Sequence, residues 1–212
     1  MSKDKRDILI TSLKREGQIK TKIVEKAFLN VQREKFVPEL LKKHAYVDTP
    51  LEIGNGQTIS APHMVAIMCE TLDIKKGQTI LEIGTGSGYH AAIVSKIVGE
   101  KGHVYTIERF SSLAKKAKKN LENANIKNVT VEVSDGSNGL PQYAPYERIY
   151  VTCSSPKIPI PLLEQLKDPG KMLVPVGRLI CQLKLIEKKE GRITSKDICG
   201  CAFVPLIGKH GF

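Results

Sequence analysis

Tryptophan is absent and aromatic residues make up only 5% of the chain, so stacking platforms for single-stranded nucleic acid are poorly supplied. No apolar run approaches the roughly 20 residues needed to span a bilayer, which excludes a membrane helix. The opening stretch from Met1 to Arg6 is polar and charged, with no apolar core behind it. A secretory signal is therefore not expected, and the reading places the chain in the cytoplasm. Cysteines are few and irregular: Cys69, Cys153, Cys181, Cys199 and Cys201 are odd in number and build no disulfide framework. Cys199 and Cys201 form C-x-C without a second pair, and read as buried strand residues because a free thiol behaves as a small hydrophobe. His44, His63, His90, His103 and His210 match no metal-ligand spacing, so no metal is expected. Internal repeats and low-complexity tracts are also missing.

What remains is 212 residues of ordinary globular composition with a net charge of +11. That length suits one sizeable α/β core. The charge could mark a nucleic-acid partner. However, Lys115, Lys116, Lys118 and Lys119 read as the wet face of one helix, and the excess reads as a solvated surface that would also favour acidic protein substrates.

The chain to about Val47 reads helical. Ile8, Leu9 and Leu13 share one face, and Thr21 is placed to cap a helix carrying Ile23, Val24, Ala27, Phe28 and Val31. Pro38 suits the first turn of a short helix over 39–43. Residues 48–62, rich in glycine and proline, read as a loop. Ser60 or Ala61 could cap the next helix, which Pro62 opens and which buries Met64, Val65, Ile67, Met68 and Leu72. Strands predicted over 79–83, 104–107, 129–133, 148–152 and 172–176, with helices over 89–98 and 111–123, imply βαβ units and a parallel sheet. Segments 180–186 and 193–204, parted by a turn at Gly191, read as a closing antiparallel hairpin.

The sharpest motif is Glu82-Ile83-Gly84-Thr85-Gly86-Ser87-Gly88-Tyr89, between a strand and a helix. Its glycines permit a tight turn and let a ligand approach the backbone. The acid two residues before Gly84, and a loop shorter than the pyrophosphate-binding G-x-G-x-x-G, favour S-adenosylmethionine over a dinucleotide. Glu82 would help hold the charged methionine end, with Gly84, Gly86 and Gly88 lining the cofactor. Glu108, ending the second strand, is placed to accept the ribose hydroxyls. Asp135, ending the third, could accept from the adenine amino group, with Gly136 turning against the ring.

The run Gln57-Thr58-Ile59-Ser60-Ala61-Pro62-His63-Met64, ahead of that loop, resembles the signature of the protein-L-isoaspartate O-methyltransferases. Similarity continues through Ala144-Pro145-Tyr146, Val151-Thr152, Leu173-Val174-Pro175-Val176-Gly177 and Phe203-Val204-Pro205-Leu206, nearly the whole chain. Two segments depart from the family pattern: Cys153-Ser154-Ser155, near the expected acceptor pocket, and the turn Leu166-Lys167-Asp168-Pro169-Gly170.

The resemblance implies an α/β class I methyltransferase fold: a Rossmann-like parallel sheet with antiparallel terminal strands and an N-terminal helical extension. It would be a single domain over 1–212, with the extension and substrate loop over 1–60 and the core and hairpin over 61–212. It implies methyl transfer from S-adenosylmethionine to the free carboxylate of isoaspartyl residues in damaged proteins. Ser60 would be the active-site hydroxyl, and Gln57, Thr58, Ile59 and Ser60 would close over the cofactor. Glu108 and Arg109 would lie beside the ribose, Asp135 and Gly136 beside the adenine. Ser60, Ala61, His63, Val204 and Leu206 would face the peptide. Isoaspartyl peptides and proteins are the expected partners of a monomer, with no specific nucleic acid and no membrane. An RNA methyltransferase is the alternative, disfavoured because Val151-Thr152-Cys153-Ser154-Ser155-Pro156 offers no aromatic to stack a base.

Overall fold

Apolar residues at helical spacing open the chain as two helices. In α1 (Ser2–Arg15) the buried stripe is Leu9, Ile10 and Leu13, while Ile8, expected on that face, is exposed. α2 (Lys22–Asn30) buries Val24, Ala27 and Phe28, and starts where the Thr21 hydroxyl accepts from the Val24 N–H at 3.4 Å. Single 3₁₀ segments follow at Arg33–Phe36 and Glu39–His44, with Pro38 just ahead of the second rather than inside it. The computed structural model describes residues 2–178 and 180–212; Met1, first of the polar opening stretch, lies outside them.

The segment expected as a loop over 48–62 contains a hairpin. β1 (Leu51–Gly54) pairs antiparallel with β2 (Gln57–Ile59) across a turn at Asn55-Gly56, where both residues have positive φ. An Asn-Gly pair between apolar residues is a strong hairpin signal, outweighed in the sequence by the surrounding glycines and prolines. Next, α3 (Pro62–Leu72) begins with Ala61 at the cap position and makes no side-chain cap bond, so Ser60 is not its cap.

The remaining elements alternate as expected: β3 (Thr79–Ile83), α4 (Tyr89–Val98), β4 (His103–Glu108), α5 (Ser111–Asn123), β5 (Val129–Val133), β6 (Tyr146–Val151), α6 (Ile160–Glu164), β7 (Leu166–Gly177), β8 (Cys181–Lys189) and β9 (Arg192–Cys201). They form one sheet in the order β5-β4-β3-β6-β7-β8-β9, parallel as far as β7 and antiparallel beyond. Successive strand residues feed opposite cores. Ile80, Tyr150 and Leu173 pack with α1 to α5, whereas Leu81, Ile149, Val151 and Met172 pack with α6 and Leu206. A sheet covered on both faces explains its near-continuous apolar strands.

Three details correct the sequence reading. Lys167 and Asp168, expected in a turn, lie within β7, and the Asp168 carboxylate accepts the Glu190 and Gly191 N–H groups of the β8–β9 turn at 2.9 and 2.7 Å. Cys199 and Cys201 are on a strand but only half-buried, because β9 is the sheet edge. That strand stops at Cys201; Val204 and Leu206 instead bracket Ser154, whose N–H donates to the Val204 carbonyl at 2.8 Å and whose carbonyl accepts the Leu206 N–H at 2.7 Å. The four lysines of α5 are all exposed, as expected of a solvated face.

Candidate active site

In an open α/β sheet, ligands bind outside the carboxyl ends of the strands where strand order reverses. Here that point lies between β3 and β6, and the loops above it line two adjacent hollows open to solvent. The larger, about 520 Å³, is bounded by Glu108, Arg109 and Gly136 on one side and by Val204 to Ile207 on the other. The smaller, about 330 Å³, lies beneath the β2 end, between Ser60, Glu82 and His90. Thr58, Gly84, Gly86 and Thr152 line both.

The glycine loop is held by its neighbours. Gly84 and Thr85 donate N–H groups to the Ile107 carbonyl at 2.9 and 3.0 Å. Gly84 has φ +95, and a Cβ there would stand 2.4 Å from Thr152 Oγ1. That hydroxyl sits at 2.9 and 2.7 Å from the Ile83 and Gly84 carbonyls, stitching β6 to the loop. At the rim, Glu108 accepts from Gly86 N–H at 2.9 Å and Phe110 N–H at 3.0 Å, one bond per carboxylate oxygen. Each oxygen keeps acceptor capacity facing the crevice.

The floor is different. Strand register sets Thr106 and Tyr150 on either side of Glu82. Glu82 is fully buried; Thr106 donates to Oε2 at 2.5 Å, while Oε1 has no hydrogen-bond partner. Burial pushes its carboxyl up to about 8, against the pull of the Thr106 hydroxyl. His90 Nδ1, Ser87 Oγ and the Tyr150 hydroxyl are likewise buried without partners. His90 is driven down to about 3 by burial and is neutral. Its ring packs on Tyr150 with centroids 4.4 Å apart. Among the described residues, no cluster of His, Cys, Asp or Glu is arranged to hold a metal ion.

Gln57, Thr58, Ile59, Ser60, Glu82, Gly84, Gly86, Glu108, Arg109, Gly136, Val204 and Leu206 all line these hollows. Four of the expected residues do not. A Cβ on Gly88 would meet Leu121 Cγ at 3.3 Å, so this glycine serves the packing of α4 on α5. Ala61 is buried at the α3 cap, and His63 turns to Asp48, its Nδ1 and N–H 3.0 and 2.9 Å from Oδ1. The Asp135 carboxylate is occupied by Ser137, Asn138 and Lys209. Cys153, which the sequence reading set near the acceptor pocket, lines the larger hollow, and Thr152 and His90 are lining residues to which that reading gave no role. The position of Thr152 just past the end of β6 was its one available signal.

The family model described as Protein-L-isoaspartate(D-aspartate) O-methyltransferase matches residues 4–211. The chain belongs to this family. Among relatives named protein-L-isoaspartate O-methyltransferase, that of Methanococcus aeolicus is 52% identical over all of this chain and 98% of its own length. The Methanosarcina mazei protein is 54% identical over 98% of this chain and 85% of its own. A solved protein-L-isoaspartate O-methyltransferase superposes with a TM-score of 0.88 at 33% identity, covering 97% of this chain and 67% of that one. A Plasmodium falciparum beta-aspartate methyltransferase, solved with S-adenosyl-L-homocysteine, gives a TM-score of 0.85 at 27% identity, over 94% of this chain and 96% of that one.

Proposed function

We propose that this chain methylates the free carboxylate of isoaspartyl residues in damaged proteins, using S-adenosylmethionine, with Ser60 as the group that orients that carboxylate. One observation carries the assignment of roles. The Ser60 side chain has no hydrogen-bond partner among the described residues and lines the smaller hollow, which shares Thr58, Gly84, Gly86 and Thr152 with the larger.

The residues present fit the donor. Glu82 Oε1, buried and unpartnered, suits a ligand's ammonium group; Glu108 suits the ribose, and Gly84 and Gly86, which line both hollows, present bare backbone to a ligand. Bound there, S-adenosylmethionine supplies an electrophilic methyl group on a sulfonium. A substrate carboxylate has an ordinary pKa near 4 and is ionised at neutral pH, so the site needs no general base. His90, neutral and enclosed, fills no such role. Ser60 Oγ–H is free to donate to one carboxylate oxygen and leave the other for the transfer. The protein's contribution is to align two reactants, worth up to about 7–11 kcal/mol when fully realised. The β1–β2 hairpin covers one side and Val204 to Leu206 the other. With the Val204 carbonyl and Leu206 N–H engaged by Ser154, the Val204 N–H and Pro205 carbonyl are left for peptide backbone. Backbone recognition tolerates varied flanking side chains. The enzyme acts as a cytoplasmic monomer without a specific nucleic-acid partner; no helix among the described residues is long and apolar enough to cross a membrane.

The deciding experiment is transfer of tritium from labelled S-adenosylmethionine to an isoaspartyl peptide, its aspartyl twin and bulk RNA. Label is expected on the isoaspartyl peptide alone; equal labelling of the twin or of RNA refutes the assignment.

A further inference from the structure

At the opposite end of the sheet from the crevice, the opening residues of β6, β7 and β9 and the last of β8 wall an open basin of about 1300 Å³. Six basic and three acidic side chains line it, and none of its lining residues is aromatic. The acids are already committed. Glu147 Oε1 takes Lys167 Nζ at 2.6 Å while Oε2 accepts the Thr79 N–H at 2.8 Å, and Glu187 takes Lys171 at 2.9 Å. Glu190 meets Lys189 loosely, at 3.8 Å. Arg148, Lys188 and Arg192 are left over, and among the described residues none of the three makes an ion pair.

Arg148 is the member that surface charge does not explain. It is only 9% exposed, yet its donors go to carbonyls rather than carboxylates: Nε to Leu72 at 2.6 Å, Nη1 to Glu147 at 2.8 Å and Nη2 to Asp73 at 3.4 Å. Two of those carbonyls close the C-terminal end of α3, so the residue caps that helix. A guanidinium carries five N–H donors, which leaves two over. Burial outweighs the pull of Asp73, Glu147 and Glu187 and holds the guanidinium below its ordinary value. Lys188 Nζ likewise donates to a carbonyl, that of Leu166 at 3.0 Å. A buried cation without a counter-charge is unfavourable, and an anion entering the basin relieves it.

Strand pairing sets the length of that anion. Arg148 stands on β6 and Arg192 on β9, three strand intervals apart, with Lys188 on β8 between them. At about 4.8 Å per interval the row runs about 14 Å. A single phosphate meets one end of such a row, whereas a short chain of linked phosphates meets all of it. Single-stranded nucleic acid would bring bases for which the basin has no stacking surface.

We propose that this basin is a second ligand site, for an oligophosphate chain, with Arg148 as its buried anchor and Lys188 and Arg192 along its length. The site is separate from the crevice and does not depend on the methyl-transfer reading.

The test titrates the full chain with linear tripolyphosphate by calorimetry, at about 150 mM salt so that diffuse attraction is screened. Tripolyphosphate should bind at least about tenfold more tightly than inorganic phosphate and raise the melting temperature. Because Arg148 also caps α3, the variants fall on its neighbours. Lys188→Met and Arg192→Ser, the second at an exposed position, should each weaken binding at least about threefold. Lys118→Ser, which removes the same charge from exposed α5, should leave it unchanged. In the unaltered chain the Arg148 Nε–H resonance should move on titration, and a static resonance overturns its place as anchor. Equal weakening by Lys118→Ser would reduce the effect to the general field of the chain and overturn the site. Competition by S-adenosylhomocysteine would put the anion in the crevice and do the same, as would equal affinity for inorganic phosphate or for an oligoglutamate peptide. Single-stranded RNA binding more tightly than tripolyphosphate through Lys188 and Arg192 would overturn the choice of ligand.

Discussion

At the rim of the crevice, Glu108 and Asp135 are each held by backbone N–H groups, whereas on the floor Glu82 has one hydroxyl partner and an orphaned oxygen. The rim is finished before a ligand arrives: both carboxylates are oriented, Asp135 already holds four donors, and a sugar would take up the spare acceptor capacity of Glu108. The floor is unfinished. Burying a carboxyl without a counter-charge is unfavourable unless it keeps its proton, and an entering cation relieves that state. The larger hollow would thus read hydrogen-bond pattern, while the smaller would exchange charge.

Substitutions can break or sharpen this contrast. Ser60, which lines the smaller hollow with Glu82, should show the largest effect on turnover. Ser60→Ala is expected to lower kcat on an isoaspartyl peptide by about 10²–10³, as for loss of an oriented donor, with S-adenosylhomocysteine affinity nearly unchanged. A variant with full kcat would remove Ser60 from the mechanism. Next comes the rim, where Glu108→Ala deletes two charged-acceptor bonds to the ribose, each worth about 1.5–3 kcal/mol, and should weaken S-adenosylhomocysteine at least about 100-fold. Calorimetry showing native affinity in a well-folded variant would sink the ribose role.

The floor should respond to pH instead. Glu82, pushed up to about 8, carries a proton in the free protein that the bound ligand's ammonium would expel. Affinity should therefore rise with pH, by at most about tenfold per unit, and level off above about 8. Stability of the free protein should run the other way. The folded state keeps a proton that the unfolded chain releases from about 4.5 upward, so stability falls as pH rises from about 4.5 to about 8. Glu82→Gln should flatten both profiles; a slope in affinity that survives would assign the proton elsewhere. The smallest effect is expected at Asp48→Asn. The His63–Asp48 pair is about one-third exposed, with side chains at 34% and 31%, and such pairs contribute about 0–1 kcal/mol. Peptide KM should shift by no more than about fivefold, and a larger change would place His63 in the groove.

The parallel strands were legible because each is a short apolar run, bounded by glycine or polar turns and separated by amphipathic helices. The glycine loop and Glu108 were legible because their spacing is dictated by one strand–turn–helix unit. Thr152 was not, since its value depends on β6 lying beside β3, a pairing that no local pattern encodes. Gly88 shows the opposite failure: it carries the motif's spacing, yet the contact that needs it is α5. One of the four donors on Asp135, the Lys209 N–H, comes from the far end of the chain, too distant in sequence for any window to join them.

The sheet's two halves also differ in how far the chain must travel to close them. β7, β8 and β9 pair with their sequence neighbours, whereas β3 waits for β6, with β4 and β5 intervening. Local pairings close with less loop entropy and form early; long-range ones form late. The crevice exists only after β3, β4 and β6 have met, so in this order of events no cofactor site is available to the early folding chain. Bound cofactor should then act on the way out of the native state rather than the way in, slowing unfolding while leaving the folding rate almost untouched. An enzyme whose substrates are ageing proteins would in this way draw its own persistence from its methyl donor.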